Sequence, residues 1–115
     1  MIIEDDADVL DALASVLRDE DYHVQTAGDG AEALRQLREG ACPGLILLDL
    51  MMPGMDGFSF RAAQQKDPRL AAIPVLVLTA GHRDARVSAM NVAGELHKPV
   101  DLDVLLAAVA RFYAA

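Results

Sequence analysis

The stretch GLILLD at residues 44–49 has no polar side chain before its final acid. A strand covered by helices on both faces is a continuous apolar run, whereas a strand with one exposed face alternates between apolar and polar residues. We therefore expect a central strand of a parallel sheet here. Its last residue, Asp49, would lie at the carboxyl end of that strand, where a loop follows.

Further strand-like and helical patterns alternate on either side of this stretch. Short apolar runs indicate strands at residues 1–3, 23–27, 44–48, 74–79 and 95–96. Apolar residues at helical spacing indicate helices at residues 8–19, 30–39, 57–66, 84–93 and 101–113, with the weakest pattern at 84–93. This alternation predicts an α/β fold: a doubly wound five-stranded parallel sheet of the (βα)5, flavodoxin-like type, with strand order 2-1-3-4-5.

Composition limits the class of protein further. The 115 residues suit a single domain over residues 1–115, and 53% of them are apolar, which is enough for a packed core. Cys42 is the one cysteine, so no intramolecular disulfide can form and a reducing compartment is favoured. The N-terminus becomes acidic at Glu4, too early for a signal peptide, and no apolar run reaches membrane-spanning length. We expect a cytoplasmic protein.

Negative charge is concentrated near the N-terminus. Residues 1–21 contain one base, Arg18, and eight acids: Glu4, Asp5, Asp6, Asp8, Asp11, Asp19, Glu20 and Asp21. Such a surface repels nucleic acid and anionic membranes. We therefore expect no direct nucleic-acid binding and no membrane binding by this segment.

Several polar residues follow the predicted strands directly. Glu4 and Asp5 come after the first strand, Asp49 after the third, Thr79 after the fourth and Lys98 after the fifth. Ligands of open α/β sheets bind beyond the carboxyl ends of the strands. Carboxylates about 4 Å apart repel by roughly 1–4 kcal/mol per pair, so three of them need a shared proton or a divalent cation. Oxygen ligands of this kind suit Mg²⁺.

This set of residues also suits phosphoryl transfer. The carboxylate of Asp49 is a nucleophile that can form an aspartyl phosphate. A bound cation offsets charge on an incoming phosphoryl group, Lys98 supplies a second positive charge, and Thr79 supplies a hydroxyl donor. The sequence therefore predicts that Asp49 is reversibly phosphorylated with the help of a divalent cation.

Four blocks in this order resemble the receiver domains of two-component response regulators. They are IIEDD at residues 2–6, LLDLMMPGMDG at 47–57, VLTA at 77–80 and KP at 98–99. Together they extend the similarity over essentially the whole chain. The resemblance implies that Asp49 accepts a phosphoryl group from a sensor histidine kinase or a histidine phosphotransfer protein. It also implies that the protein is a signalling switch and not a metabolic enzyme.

The resemblance also implies a role for each neighbour of Asp49. Asp5 would bind Mg²⁺ directly and Glu4 through water, with Asp49 and the backbone carbonyl of Met51 as further ligands. Thr79 and Lys98 would hold the phosphoryl oxygens, and the small Ala80 would leave the site open. The family further suggests a cis peptide bond between Lys98 and Pro99.

One departure from the family concerns the readout of phosphorylation. Receiver domains usually carry Tyr or Phe three residues before the lysine, and this chain carries Glu95. The stretch from Thr79 to Lys98 is also about three residues shorter, so we expect a trimmed fourth helix or exit loop. On phosphorylation, we expect a shift of the surface formed by the fourth helix, fifth strand and last helix.

Three other functions compete with a phosphorylated switch. A receiver-like interaction module that works without phosphorylation stays open because of Glu95, whereas the complete set of site residues favours phosphorylation. A phosphatase of the haloacid dehalogenase type needs a second Asp two residues after the nucleophile, where this chain has Met51. A flavodoxin-like cofactor binder would need a phosphate loop, and none is evident. Homodimerisation is conceivable and is not predicted.

The remaining polar residues have ordinary structural interpretations. His23, His82 and His97 share no metal-ligand spacing, so we expect them to be structural or exposed. Asp56 precedes Gly57 at a predicted helix start and suits a helix N-cap.

Overall fold

Five parallel strands form one sheet in the order β2-β1-β3-β4-β5 in the computed structural model, which describes residues 1–80 and 85–113. The strands are β1 (Ile2–Ile3), β2 (Thr26–Ala27), β3 (Ile46–Asp49), β4 (Val75–Ala80) and β5 (Gly94–Lys98). The predicted sheet and strand order are confirmed. The order reverses between β1 and β3, which lie side by side.

Helices cover both faces of this sheet. They are α1 (Ala7–Asp19), α2 (Gly30–Arg38), α3 (Gly57–Lys66), a 3₁₀ segment (Ala85–Met90) and α4 (Leu102–Tyr113). None of the described helices is long and apolar enough to cross a bilayer.

Alternate side chains of each central strand enter different cores. Ile46 and Leu48 of β3 pack in the core that also contains Phe60 of α3, while Leu47 packs in the core that contains Leu105 of α4. Because successive side chains of a strand point to opposite faces, a strand with helices on both sides is apolar at every position. The stretch at residues 44–48 has this character for that reason.

Each of the four described α-helices begins at an aspartate, which for α4 is Asp101. The side chain of Asp6 accepts hydrogen bonds from the backbone N–H groups of the first turn of α1. Asp29 does the same for α2, and Asp56 does so for α3, where it accepts from Ser59 N at 2.8 Å. Each such cap stabilises a helix by about 1 kcal/mol. The N-cap prediction for Asp56 is confirmed.

The segment between β4 and β5 differs from the prediction. An α-helix was expected at residues 84–93, but the described part forms a 3₁₀ helix over Ala85–Met90. Asn91 follows with a positive φ of 54°, and Ala93 N already donates to Val75 O at 2.8 Å. The chain therefore has too few residues before the sheet edge for a full α-helix. The predicted helix start at Asp84 lies outside the described residues, as does His82.

The lengths of two strands also differ from the prediction. β2 is confined to two residues because its neighbour β1 offers only two partners, in the register Ile2–Thr26 and Ile3–Ala27. β5 is longer than predicted because it pairs with β4 along five residues. Its alternating pattern of exposed and buried residues concealed this in the sequence.

A buried arginine joins α3 to the end of the 3₁₀ segment. Arg61 is 6% exposed, and its guanidinium donates to Met90 O at 3.0 Å, to Asn91 O at 2.8 Å and to Gln64 Oε1 at 2.8 Å. Gln64 in turn donates to the carbonyls of Leu70 and Ile73. Burial lowers the pKa of Arg61. This network fixes where the short connection enters β5.

We expect Arg61→Met to lower the free energy of unfolding by roughly 2–4 kcal/mol, because it removes the three hydrogen bonds that the largely buried guanidinium donates. Arg69→Met is the matched control, since Arg69 is largely exposed and its contact to Asp67 is 3.7 Å long. That control should change stability by less than about 0.5 kcal/mol. Urea denaturation of both variants measures the difference. Equal losses would show that Arg61 is not a specific anchor.

Candidate functional site

The polar residues predicted to form a site lie at one edge of the sheet. Glu4 and Asp5 follow β1, and Asp49 ends β3 beside it. Thr79 is the residue before the end of β4, and Lys98 is the last residue of β5. These two strands pair with each other in the sheet. Because all strands are parallel, their carboxyl ends share this edge, and the register brings residues distant in sequence together.

Three carboxylates form the centre of this edge. Single oxygen atoms of Glu4, Asp5 and Asp49 all lie within 4.8 Å of one another. Glu4 is 1% exposed and Asp49 is 4% exposed, whereas Asp5 is exposed to solvent. Such a group of hard oxygen ligands, open on one side, suits an ion of the Mg²⁺ type that keeps several of its waters.

Lys98 places a positive charge beside the two buried acids. Its ammonium lies 2.8 Å from Glu4 Oε2 and 3.4 Å from Asp49 Oδ1. Burial disfavours the charged ammonium, but the hydrogen bond to Glu4 and the charges of Asp49 and Glu4 outweigh it and raise the pKa of Lys98. Lys98 is therefore fully charged at neutral pH and partly offsets the repulsion between the acids.

Asp49 itself is held in an unfavourable environment for a carboxylate. Burial and the charge of Glu4 raise the pKa of Asp49 to about 6, although Lys98 and the N–H of Met51 act in the opposite direction. The Met51 N–H donates to Asp49 Oδ1 at 3.2 Å. The carboxylate is ionised in most molecules at neutral pH and is more basic than an ordinary aspartate.

The loop after β3 approaches Asp49 closely. Met51 has a side chain that is 68% exposed, so its contribution at Asp49 is made by the backbone. A Cβ at Gly57 would lie 2.7 Å from Leu50 Cα and 2.8 Å from Asp49 O. Only glycine allows α3 to begin this near the end of β3. The N–H of Gly57 also donates to Leu50 O at 3.0 Å.

Thr79 has a partner that the sequence did not reveal. Its side chain is buried, with 5% exposure, and its Oγ1 lies 3.0 Å from His97 Nδ1. The two residues are directly opposite in the β4–β5 register. His97 was expected to be merely structural or exposed; it is exposed, yet it shares a hydrogen bond with a predicted site residue. The sequence feature that could have indicated this contact is the position of His97, one residue before Lys98.

The remaining expectations concern Pro99 and Glu95. The peptide bond between Lys98 and Pro99 is cis, as the family resemblance implied. Glu95 is exposed on β5, two residues before His97 and on the same side of the strand. No aromatic side chain therefore occupies this position.

Comparisons with known proteins agree with this arrangement. Residues 1–110 match the family described as the response regulator receiver domain. The DNA-binding dual master transcriptional regulator RpaA of Synechocystis is 38% identical over 112 residues, which cover 95% of this chain and 46% of RpaA. This chain thus spans less than half the length of that curated relative.

Solved structures are similar over nearly the whole chain. A putative response regulator from Chloroflexus aurantiacus has a TM-score of 0.88 and 30% identity, covering 99% of this chain and 95% of that one. A CheY-like receiver domain protein from Methanospirillum hungatei has a TM-score of 0.85 and 34% identity, covering 97% and 90%.

The raised pKa of Asp49 predicts a pH-dependent stability in protein kept free of divalent cations. Between about pH 4 and pH 6, the unfolded chain ionises Asp49 while the folded protein still binds its proton. Wild type should therefore lose stability relative to Asp49→Asn as pH rises through this window. Above pH 6, we expect the free energy of unfolding of Asp49→Asn to exceed that of wild type by a constant amount of roughly 1–3 kcal/mol. Chemical denaturation in chelator across this range measures it, and a gap that narrows with rising pH would contradict the assignment.

Proposed function

The chain belongs to the family of response regulator receiver domains, and from that premise we propose that it is a phosphorylation-dependent signalling switch in which Asp49 accepts the phosphoryl group. The observation that carries the proposal is the placement of Asp49: a buried carboxylate grouped with Glu4 and Asp5 and 3.4 Å from Lys98. We treat residues 1–115 as a single receiver domain.

In the proposed reaction, a carboxylate oxygen of Asp49 bonds to phosphorus as the P–N bond of a phosphohistidine donor breaks. The donor imidazole keeps the electron pair of that bond and takes up a proton. A more basic carboxylate is a better nucleophile, and the pKa of Asp49 near 6 still leaves it ionised at neutral pH. Burial thus improves the nucleophile without keeping it protonated.

Glu4, Asp5, Asp49 and the backbone carbonyl of Met51 are the proposed ligands of Mg²⁺. Asp5 is the exposed member of the acidic group and is suited to direct contact, whereas the buried Glu4 suits contact through water. When bound, Mg²⁺ would offset the negative charge of the incoming phosphoryl group and orient it.

Lys98 and Thr79 are proposed to hold the phosphoryl oxygens. The Lys98 ammonium has three donors, and it already contacts Asp49, the residue proposed to be phosphorylated, and the neighbouring Glu4. It can therefore turn toward a phosphoryl oxygen over a short distance. Thr79, the residue before the end of the neighbouring strand β4, can donate its hydroxyl to another oxygen. Both movements would act on β4, β5 and the 3₁₀ segment between them.

The proposed donor is a sensor histidine kinase or a histidine phosphotransfer protein, and the proposed compartment is the cytoplasm. RpaA is named a DNA-binding regulator, but this chain matches only 46% of it. The acidic segment at residues 1–21 disfavours contact with nucleic acid, so we propose no direct nucleic-acid binding by this chain. An interaction module independent of phosphorylation is the competing function.

The direct test is incubation with acetyl phosphate and Mg²⁺ followed by intact-mass measurement. We expect one phosphoryl group on wild type, none on Asp49→Asn, and strongly reduced labelling when a chelator removes the cation. Asp103→Asn is the matched control, because Asp103 lies in the first turn of α4 and is not a member of the acidic group, and it should be labelled like wild type.

Two outcomes would reject phosphorylation of Asp49. One is wild type that gains no mass although the folded state is intact. The other is an Asp49→Asn variant that gains as much as wild type. The interaction module would then be the better description.

A further inference from the structure

The hydroxyl of Thr79 has a hydrogen-bond partner on the outer part of the sheet. Its Oγ1 lies 3.0 Å from His97 Nδ1, and the two residues face each other across β4 and β5. A threonine hydroxyl has one proton to donate. If that proton is directed at Nδ1, it is not available to a phosphoryl oxygen on Asp49.

The position of His97 allows its hydrogen bond with Thr79 to form and break at little cost in free energy. Its ring is exposed and borders an open cavity of about 650 Å³, which is also lined by Ser88, Asn91 and Glu95. An imidazole freed from Thr79 can turn into this space and be hydrated. By contrast, Thr79 is buried, so its hydroxyl needs a partner in every state.

We propose that His97 is a positioning residue for Thr79. In the unphosphorylated protein, the imidazole of His97 carries its proton on Nε2, and Nδ1 accepts from the Thr79 hydroxyl. When Thr79 turns to the phosphoryl group, this bond breaks and the imidazole is released on the surface of β5. The inference rests on the proposed function, and it identifies His97 as the residue that responds to phosphorylation of Asp49.

This arrangement would serve the chain in place of an aromatic ring. Glu95 stands two residues before His97 on the same side of β5 and cannot fill an apolar space left by Thr79. The change at the protein surface would be the loss of the hydrogen bond between Thr79 and His97. His97 borders the cavity to which the 3₁₀ segment contributes Ser88.

Nitrogen and ring-proton NMR signals of His97 test the first part of the inference. Spectra are recorded at about pH 8, above the usual titration range of histidine, with and without beryllofluoride and Mg²⁺. We expect the Nε2–H tautomer in the free protein and a clear change at Nδ1 on addition. Backbone signals of Asp49 and Met51 report independently whether beryllofluoride has bound.

These signals separate the two levels of the proposal. Shifts at Asp49 and Met51 without any change at His97 would overturn the role of His97 and leave the proposed function intact. An absence of binding would overturn the proposed function, and this inference with it. A proton on Nδ1 in the free protein would also overturn the inference.

Affinity for beryllofluoride tests whether His97 acts through Thr79. Because His97→Leu removes the competing acceptor, we expect about two- to ten-fold tighter binding, the value of one ordinary hydrogen bond. His97→Asn should restore wild-type affinity, since its amide can place an oxygen near the position of Nδ1. In a Thr79→Ala background, the effect of His97→Leu should disappear.

Weaker binding by His97→Leu, or the same gain in both backgrounds, would contradict the inference. Melting curves of each variant accompany the titrations. Since His97 is exposed, we expect all His97 variants to fold like wild type.

Discussion

Mutual repulsion among the carboxylates of Glu4, Asp5 and Asp49 is the constraint on which the rest of the site depends. Their oxygens lie within 4.8 Å, and two of the three side chains are buried. Charges this close at a protein surface repel by about 1–4 kcal/mol per pair. The site therefore needs positive charge at all times, and Lys98 supplies part of it from β5. A divalent cation and a phosphoryl group can each change how that charge is shared.

The fold maintains this unfavourable grouping through packing that does not involve the acids. β1 and β3 are fixed by cores on both faces, so Glu4 and Asp49 cannot move apart without disturbing the sheet. Gly57 lets the start of α3 lie against the end of β3. On the other side, Arg61 fixes the connection that leads into β5. Apolar burial and hydrogen bonds elsewhere in the fold therefore offset the electrostatic repulsion among the three carboxylates.

The sequence was most informative where local pattern and burial coincide. The continuous apolar run before Asp49 predicted a strand covered on both faces, and the acids and Lys98 were placed correctly at the strand ends. The helix at residues 84–93 was predicted wrongly, because helical spacing says nothing of how few residues remain before β5. The contacts of Arg61 and His97 join residues far apart in sequence, and no local pattern encodes them.

A Mg²⁺ titration followed by backbone amide NMR tests the central claim most directly. We expect saturable shifts concentrated on residues beside Asp5, Asp49 and Met51, with affinity reduced about ten-fold or more in Asp5→Asn. Asp8→Asn, an equal loss of charge in the first turn of α1, should bind like wild type. Shifts spread evenly over the acidic segment at residues 1–21, or equal losses of affinity in the two variants, would show a diffuse ion atmosphere and contradict a built cation site.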